Sequence, residues 1–421
     1  MDRPIGCVFL NKPTNLLAGG VASLGGGQPF TFTNLETLAG AADKWVISMP
    51  EPTFLTEQCS RYPFLRHAGF LATPISFLAQ ELGAFEMSKS AQAVQRISEV
   101  LTRTVAMAGL ACPEALDILD ADSSCTLVQA LRTAAAPPLR REPIPVELQE
   151  AMPSLIKAPG PMAAPTSQDM VIRIPANRLR LSQAVLGAAV PAGAWNEVDL
   201  EKFPTVNGAL SWAIGNQQPV IAQVTINKTL PNVKASAPLM RHLTNGATRW
   251  MALPEIIALT RIVEMTPRRM FVASELVPVD ATLKVPGPVF SPAAIASISA
   301  GLLAEAFMHA VCSSSAEGGR QGTGELANPQ VHAVRAAWLT GVARASMMQE
   351  AKALAEANFA VVSIGHSHVV VGANRKQLRL LRKAIAASSL LSYPTGLRAL
   401  EEKAPAKVEP MDVYAASEVA K

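Results

Sequence analysis

Eight prolines fall between Pro137 and Pro165, and they divide the chain. Proline removes a backbone donor and disfavours helix at the residue before it, so so dense a run reads as extended backbone. The run also carries Arg140, Arg141 and Lys157. With 421 residues, the chain is longer than a single core usually serves. The expected fold class is therefore α+β, helix-rich, with two domains joined by a Pro-rich extended segment. An N-terminal domain over 1–135 would hold short strands and then helices. A Pro-rich linker or arm would follow over 136–168, a C-terminal mixed α/β domain over 169–400, and a mobile tail over 401–421.

Periodicity fills in these regions. Phe30 to Phe32 alternates like a strand, and Lys44 to Met49 reads as another, with glycines from Gly19 to Gly27 marking a flexible loop. Thr73-Pro74 is a helix-start signal, followed by Ile75, Phe77, Leu78 and Leu82 on one face. Val94, Ile97, Leu101 and Val105 form one stripe of a helix expected from near Ser88 to Leu110. In the second half, Val171 to Ile174, Val220 to Ile226 and Met270 to Val277 read as strands, and Ser291-Pro292 starts a helix. Ser313 to Asn328 is rich in Gly and Ser and reads as a loop. The clearest helix of all runs over 329–357, with Val331, Val334, Trp338, Val342, Ala345 and Met348 at helical spacing. Strands are expected at Phe359 to Ile364 and Val369 to Val371, and Asn374 should cap a helix from Arg375 to Ala387. No fixed-period repeat is present, which argues against a solenoid or propeller.

Hydrophobic residues make up 49% of the chain and charged residues 17%, against a typical charged share of about 25%. The mean hydropathy is +0.22. A membrane span needs about 20 apolar residues in a row. The best candidate, Pro292 to Cys312, is interrupted by Glu305 and His309, and Met1 to Leu10 does not read as a secretory signal. Burial between copies of the chain is the remaining account of the excess.

Catalytic signatures are missing. Gly319 to Gly324 lacks the Lys-Ser/Thr ending of a phosphate-binding loop, and the Gly19–Gly27 run does not match a dinucleotide fingerprint. His366 and His368 sit two apart but have no nearby Cys, Asp or Glu to complete a metal set. Asp117, Asp120 and Asp122 read as a solvated face. The five cysteines, at 7, 59, 112, 125 and 312, form no C-x-x-C pair, which fits a reducing compartment. No cofactor and no metal is expected.

Charge distribution says more than the net charge of +4. From Ala357 to Leu400 there are six basic residues and no acid. Five of them, Arg375, Lys376, Arg379, Arg382 and Lys383, fall on one short helix, with Leu378, Leu381 and Ile385 free to pack. A second basic group spans Lys228, Lys234, Arg241, Arg249, Arg261, Arg268 and Arg269, with Trp250 beside Arg249. Arg375, Lys376, Arg379, Arg382, Lys383, Arg268 and Arg269 are the candidate contacts for nucleic acid or another anion, through phosphates rather than bases. With three tyrosines in the chain, base stacking has little support.

Together these features suggest a self-assembling structural protein: a viral coat, inner-shell or nucleocapsid subunit, with non-specific nucleic-acid contact. Its partners would be copies of itself and RNA or DNA, without a membrane span, and its setting the cytoplasm or a virion. The alternatives are a cytosolic enzyme whose site is assembled from scattered residues, with His366, His368 and Arg320 the first to inspect, and a protein-binding adaptor.

Overall fold

A computed structural model of the chain describes residues 4–12, 15–16, 18–42, 44–48, 62, 70–73, 91–121, 127, 130–131, 134, 144–156, 170–205, 207–230, 246, 248–278, 294–313, 330–365 and 367–392. These residues form a mixed α+β fold in two compact units.

The first unit is built on a five-stranded sheet of β1 (Ile5–Leu10), β2 (Gly20–Leu24), β3 (Phe30–Phe32), β4 (Lys44–Ser48) and β5 (Phe70–Thr73). The spatial order is β3-β2-β1-β4-β5; β1 and β4 run parallel, as do β4 and β5, and β1–β2–β3 form an antiparallel meander. Every residue of β1 is buried, as expected where both faces of a strand are covered. Alternation sorts them: Val8 and Leu10 join Leu16, Phe32, Leu35, Trp45 and Ile47 on one side. Ile5, Cys7 and Phe9 join Val46 on the other, under Val94, Ile97 and Val100 of α1 (Ala91–Ala111).

Polar side chains fix that helix in place. Ser98 donates to the Ile5 carbonyl at 2.6 Å and accepts from Gly26 N, while Thr102 Oγ1 accepts from Ile5 N at 2.8 Å. Gly25 and Gly26 turn the β2 exit with φ of +60° and +82°, which favours glycine. Cys112 separates α1 from α2 (Pro113–Ala121). A helix from much later in the sequence, α7 (Ala294–Ser313), supplies Ile298 and Leu302 to the same core. The first unit therefore includes chain that a cut at residue 135 assigns to the second domain.

The second unit holds two antiparallel sheets. The larger comprises β7 (Ala189–Glu197), β8 (Val220–Thr229), β9 (Thr248–Ala252) and β10 (Val263–Pro278) in the order β7-β10-β8-β9. The smaller comprises β6 (Met170–Pro175), β11 (Ala360–Ile364) and β12 (His368–Ala373) in the order β11-β12-β6. Pro267 sits inside the central strand β10, where proline is tolerated only at an irregularity. The register with β8 shifts between Pro267 and Arg269, which leaves Arg268 without an opposing residue.

The helices are α3 (Val146–Ile156), α4 (Arg178–Leu186), α5 (Gly208–Gly215), α6 (Leu253–Thr260), α8 (Gln330–Glu356) and α9 (Leu378–Ala387). The long α8 packs against α3, α4, α6, β7 and β11. Val334, Ala337, Trp338, Leu339, Met347, Ala351 and Leu354 are all buried, so most of its circumference is covered.

One sequence expectation changes here. The segment 136–168 is not extended throughout: α3 lies inside it, buries Leu148, Ala151, Met152 and Leu155, and packs on α8. Its burial outweighs the local proline content. Thr73 ends β5, paired with Ser48, and the helix expected from Pro74, with its apolar face at 75–82, lies outside the described residues.

Candidate nucleic-acid interface

The strongest charge feature lies at the end of the smaller sheet. β12 runs to Ala373, and Arg375–Gln377 forms a 3-10 turn that leads into α9. The Gln377 side chain reaches back to accept from Asn374 N at 2.9 Å, closing the helix start as in a capping box. Leu378, Leu381 and Ile385 are buried along one side. That anchoring turns the other positions outward: Arg375, Lys376, Arg379, Arg382 and Lys383 are all exposed. Leu380, 58% exposed, lies among them. Five cations within about two turns repel one another, and like-charge pairs at helical spacing are destabilising. An anion alongside removes that cost.

Arg268 and Arg269 lie on β10, in the other sheet, and are engaged differently. Arg269 forms a bidentate pair with Glu197, at 2.8 and 3.1 Å, and a third contact with Glu147 at 3.3 Å. Its guanidinium also lies 5.2 Å from the Phe271 ring centre. Glu197 is the main reason that the Arg269 proton is held more tightly than usual. On the carboxylate side, the backbone N–H first and Arg269 second pull the Glu147 carboxyl below its ordinary range. Two carboxylates thus offset this arginine, and it ties the first turn of α3 to the sheet. Arg268 is exposed at the bulge and donates from Nε to Thr225 Oγ1 at 2.9 Å.

Other members of the second basic group also face carboxylates. Lys228 meets Glu264 at 3.3 Å, and Arg249 acts electrostatically on Glu255. Trp250 packs at a tilt on Phe271, with ring centres 6.0 Å apart. Lys234 and Arg241 lie outside the described residues.

Of the remaining candidates, His368 is among the described residues. His368 Nδ1 is 3.1 Å from an Arg173 guanidinium nitrogen, while His366 and Arg320 lie outside the described residues. Among the described residues, no three His, Cys, Asp or Glu side chains are grouped to hold a metal. Burial pushes the Cys7 thiol far above its ordinary range, and burial is also the main cause of the rise at Cys112. Such thiols are poor nucleophiles. The Gly19–Gly27 run is the β2 strand and its flanking turns, not a phosphate loop.

Sequence reading missed a buried ion pair, Arg344 with Glu255. The Arg344 Nε to Glu255 Oε1 distance is 3.0 Å, and a second guanidinium nitrogen of Arg344 donates to the Leu155 carbonyl. No local pattern signals it, since the two residues lie on different helices, α8 and α6.

No protein-family model matches the chain, and no curated protein matches its sequence. Solved structures of Phi29 DNA polymerase do match. The complex with primer-template DNA after translocation aligns at 10% identity and a TM-score of 0.43, over 88% of this chain and 80% of that one. The complex with single-stranded DNA aligns at 9% identity and 0.43, with the same coverage. The ternary complex with incoming nucleotide aligns at 9% and 0.36.

The expectation of a coat, inner-shell or nucleocapsid subunit is corrected here, on its physical premise. It required apolar surface in excess of what one copy can hide. Among the described residues, the large exposed apolar side chains are Phe30, Leu110, Val146, Leu276 and Leu380, each on a different element. The apolar composition is taken up within the chain by α1, α8 and both sides of the first sheet. Self-association has no support here, and no helix among the described residues is long and apolar enough to cross a membrane.

Proposed function

We propose that this protein contacts RNA or DNA through the phosphate backbone, using the outward face of α9 and the 3-10 turn before it. One observation carries the reading: Leu378, Leu381 and Ile385 fix the helix by one side while Arg375, Lys376, Arg379, Arg382 and Lys383 are all exposed. No acid occurs from Ala357 to Leu400, so the stretch is uniformly basic. Lys and Arg that neutralise phosphates release condensed counterions, and this term supplies affinity without a sequence code.

The contact is positioning rather than base-reading. Arg269, initially grouped with these residues, serves the fold through Glu147 and Glu197. Arg268 remains an exposed donor on a separate sheet. The polymerase structures named above are complexes with DNA; at TM-scores below 0.5 their likeness carries no argument for this chain.

The test is nucleic-acid retention through purification, read as the ratio of nucleic-acid to protein absorbance. Replacing Arg375, Arg379 and Arg382 together by Gln should lower the ratio while leaving the circular dichroism spectrum unchanged. An unchanged ratio in a folded triple variant contradicts the proposal.

A further inference from the structure

We infer that Arg180, on a different helix, extends the α9 surface into a longer basic track for a nucleic-acid phosphate backbone. The inference rests on the function proposed above and names one more contact for it. Arg180 is remote in sequence from α9, and no periodicity connects the two. The structure joins them through backbone pairing. Ala176 bridges Leu391, Ser392 N donates to the Pro175 carbonyl, and Asn177 N donates to the Leu390 carbonyl. These contacts bring the start of α4 beside the chain leaving α9. Asn177 then caps α4 by accepting from Arg180 N at 3.0 Å, which fixes Arg180 in the first turn.

From there the Arg180 side chain donates to the Ser389 carbonyl, two residues beyond the last residue of α9, and stays exposed. A guanidinium has five donors in a fork, so one bond to a carbonyl leaves the others for a phosphate. Position also matters. The C-terminal end of a helix carries roughly half a negative charge, which would repel a polyanion. Arg180 sits at that end and offsets it, so the positive potential continues beyond Lys383. Along α9 the cations recur about once per turn, near every 5 Å; one strand of a duplex rises about 3.4 Å per phosphate. Arg180 adds a step at the far end.

A structural role is the competing explanation, because Arg180 also closes the α9 exit. Arg180→Gln removes the charge and keeps an amide donor; Arg180→Lys keeps the charge. The experiment uses the full chain and measures binding of a fluorescein-labelled oligothymidylate by anisotropy across a salt titration, together with the thermal midpoint of each variant. Each phosphate contact contributes about 0.7 to the slope of log affinity against log salt for a single strand. Arg180→Gln should make the slope shallower by about that amount, and Arg180→Lys should restore it. If Arg180→Gln lowers only the thermal midpoint and leaves the slope unchanged, Arg180 is a structural cap and the inference fails. If the wild-type chain shows no salt-dependent binding, the proposed function itself fails. The two failures are therefore distinct.

Discussion

Arg344 and Glu255 are 7% and 5% exposed, and each makes the other's burial tolerable. Breaking a buried pair by removing one partner leaves an uncompensated charge and costs about 3–5 kcal/mol, whereas replacing both with apolar groups is often near neutral. Arg344→Met should therefore lower unfolding free energy in urea by about 3–5 kcal/mol, and Glu255→Leu combined with Arg344→Met should recover most of it. Burial raises the Glu255 carboxyl above its ordinary value of 4.5, with Arg344 pulling the other way. The folded chain then holds that proton more tightly than the unfolded one does. The group's contribution is whole below 4.5 and is lost as pH rises through the raised value. Glu255→Gln should flatten that descending limb in a stability–pH series. The pair was not legible in sequence because its members lie on separate helices, and only packing shows that Gly341 lets Ala252 Cβ and Glu255 Oε2 come to 3.0 and 3.2 Å from the position a Cβ would occupy.

Regular elements were legible where period and length agreed. The stripe through Val334, Trp338 and Met348 marks α8, found over Gln330–Glu356, and the stripe through Val94 and Ile97 marks α1. The Asn374 start signal and the basic face of α9 were readable for the same reason. Elements with local breakers were not. β7 contains Pro191 and Gly193, α5 begins and ends in Gly, and α3 lies among prolines with one of its own at Pro153. Their form is set by neighbours more than by propensity. In the first sheet, the Trp45 ring lies against Gly6, and any Cβ there would overlap it. Overpacking of this kind costs typically about 1–3 kcal/mol. Gly6→Ala should lower the denaturation midpoint accordingly, and an unchanged midpoint would mean that β1 and β4 are not held at this spacing.

Over the whole chain, composition misled where placement informed. A low charged fraction suggested surface hidden by other copies, yet both sides of the first sheet and nearly all of α8 absorb apolar side chains internally. Charge placement carried the functional signal, and only in part. Pairing with Glu147 and Glu197 withdraws Arg269 from it, while the five cations of α9 and the 3-10 turn before it are exposed. Arg180 could not be found by any local pattern, because it reaches α9 through the pairing of residues 175–177 with 390–392. The central claim is that the α9 face makes phosphate contacts. Its most direct test compares the salt dependence of oligothymidylate binding between the wild-type chain and a variant with Arg375, Lys376, Arg379, Arg382 and Lys383 all changed to Gln. With about 0.7 of slope per contact, the variant should lose about 3 to 4 units of slope and bind far more weakly at low salt. Equal slopes for the two folded proteins would contradict the account.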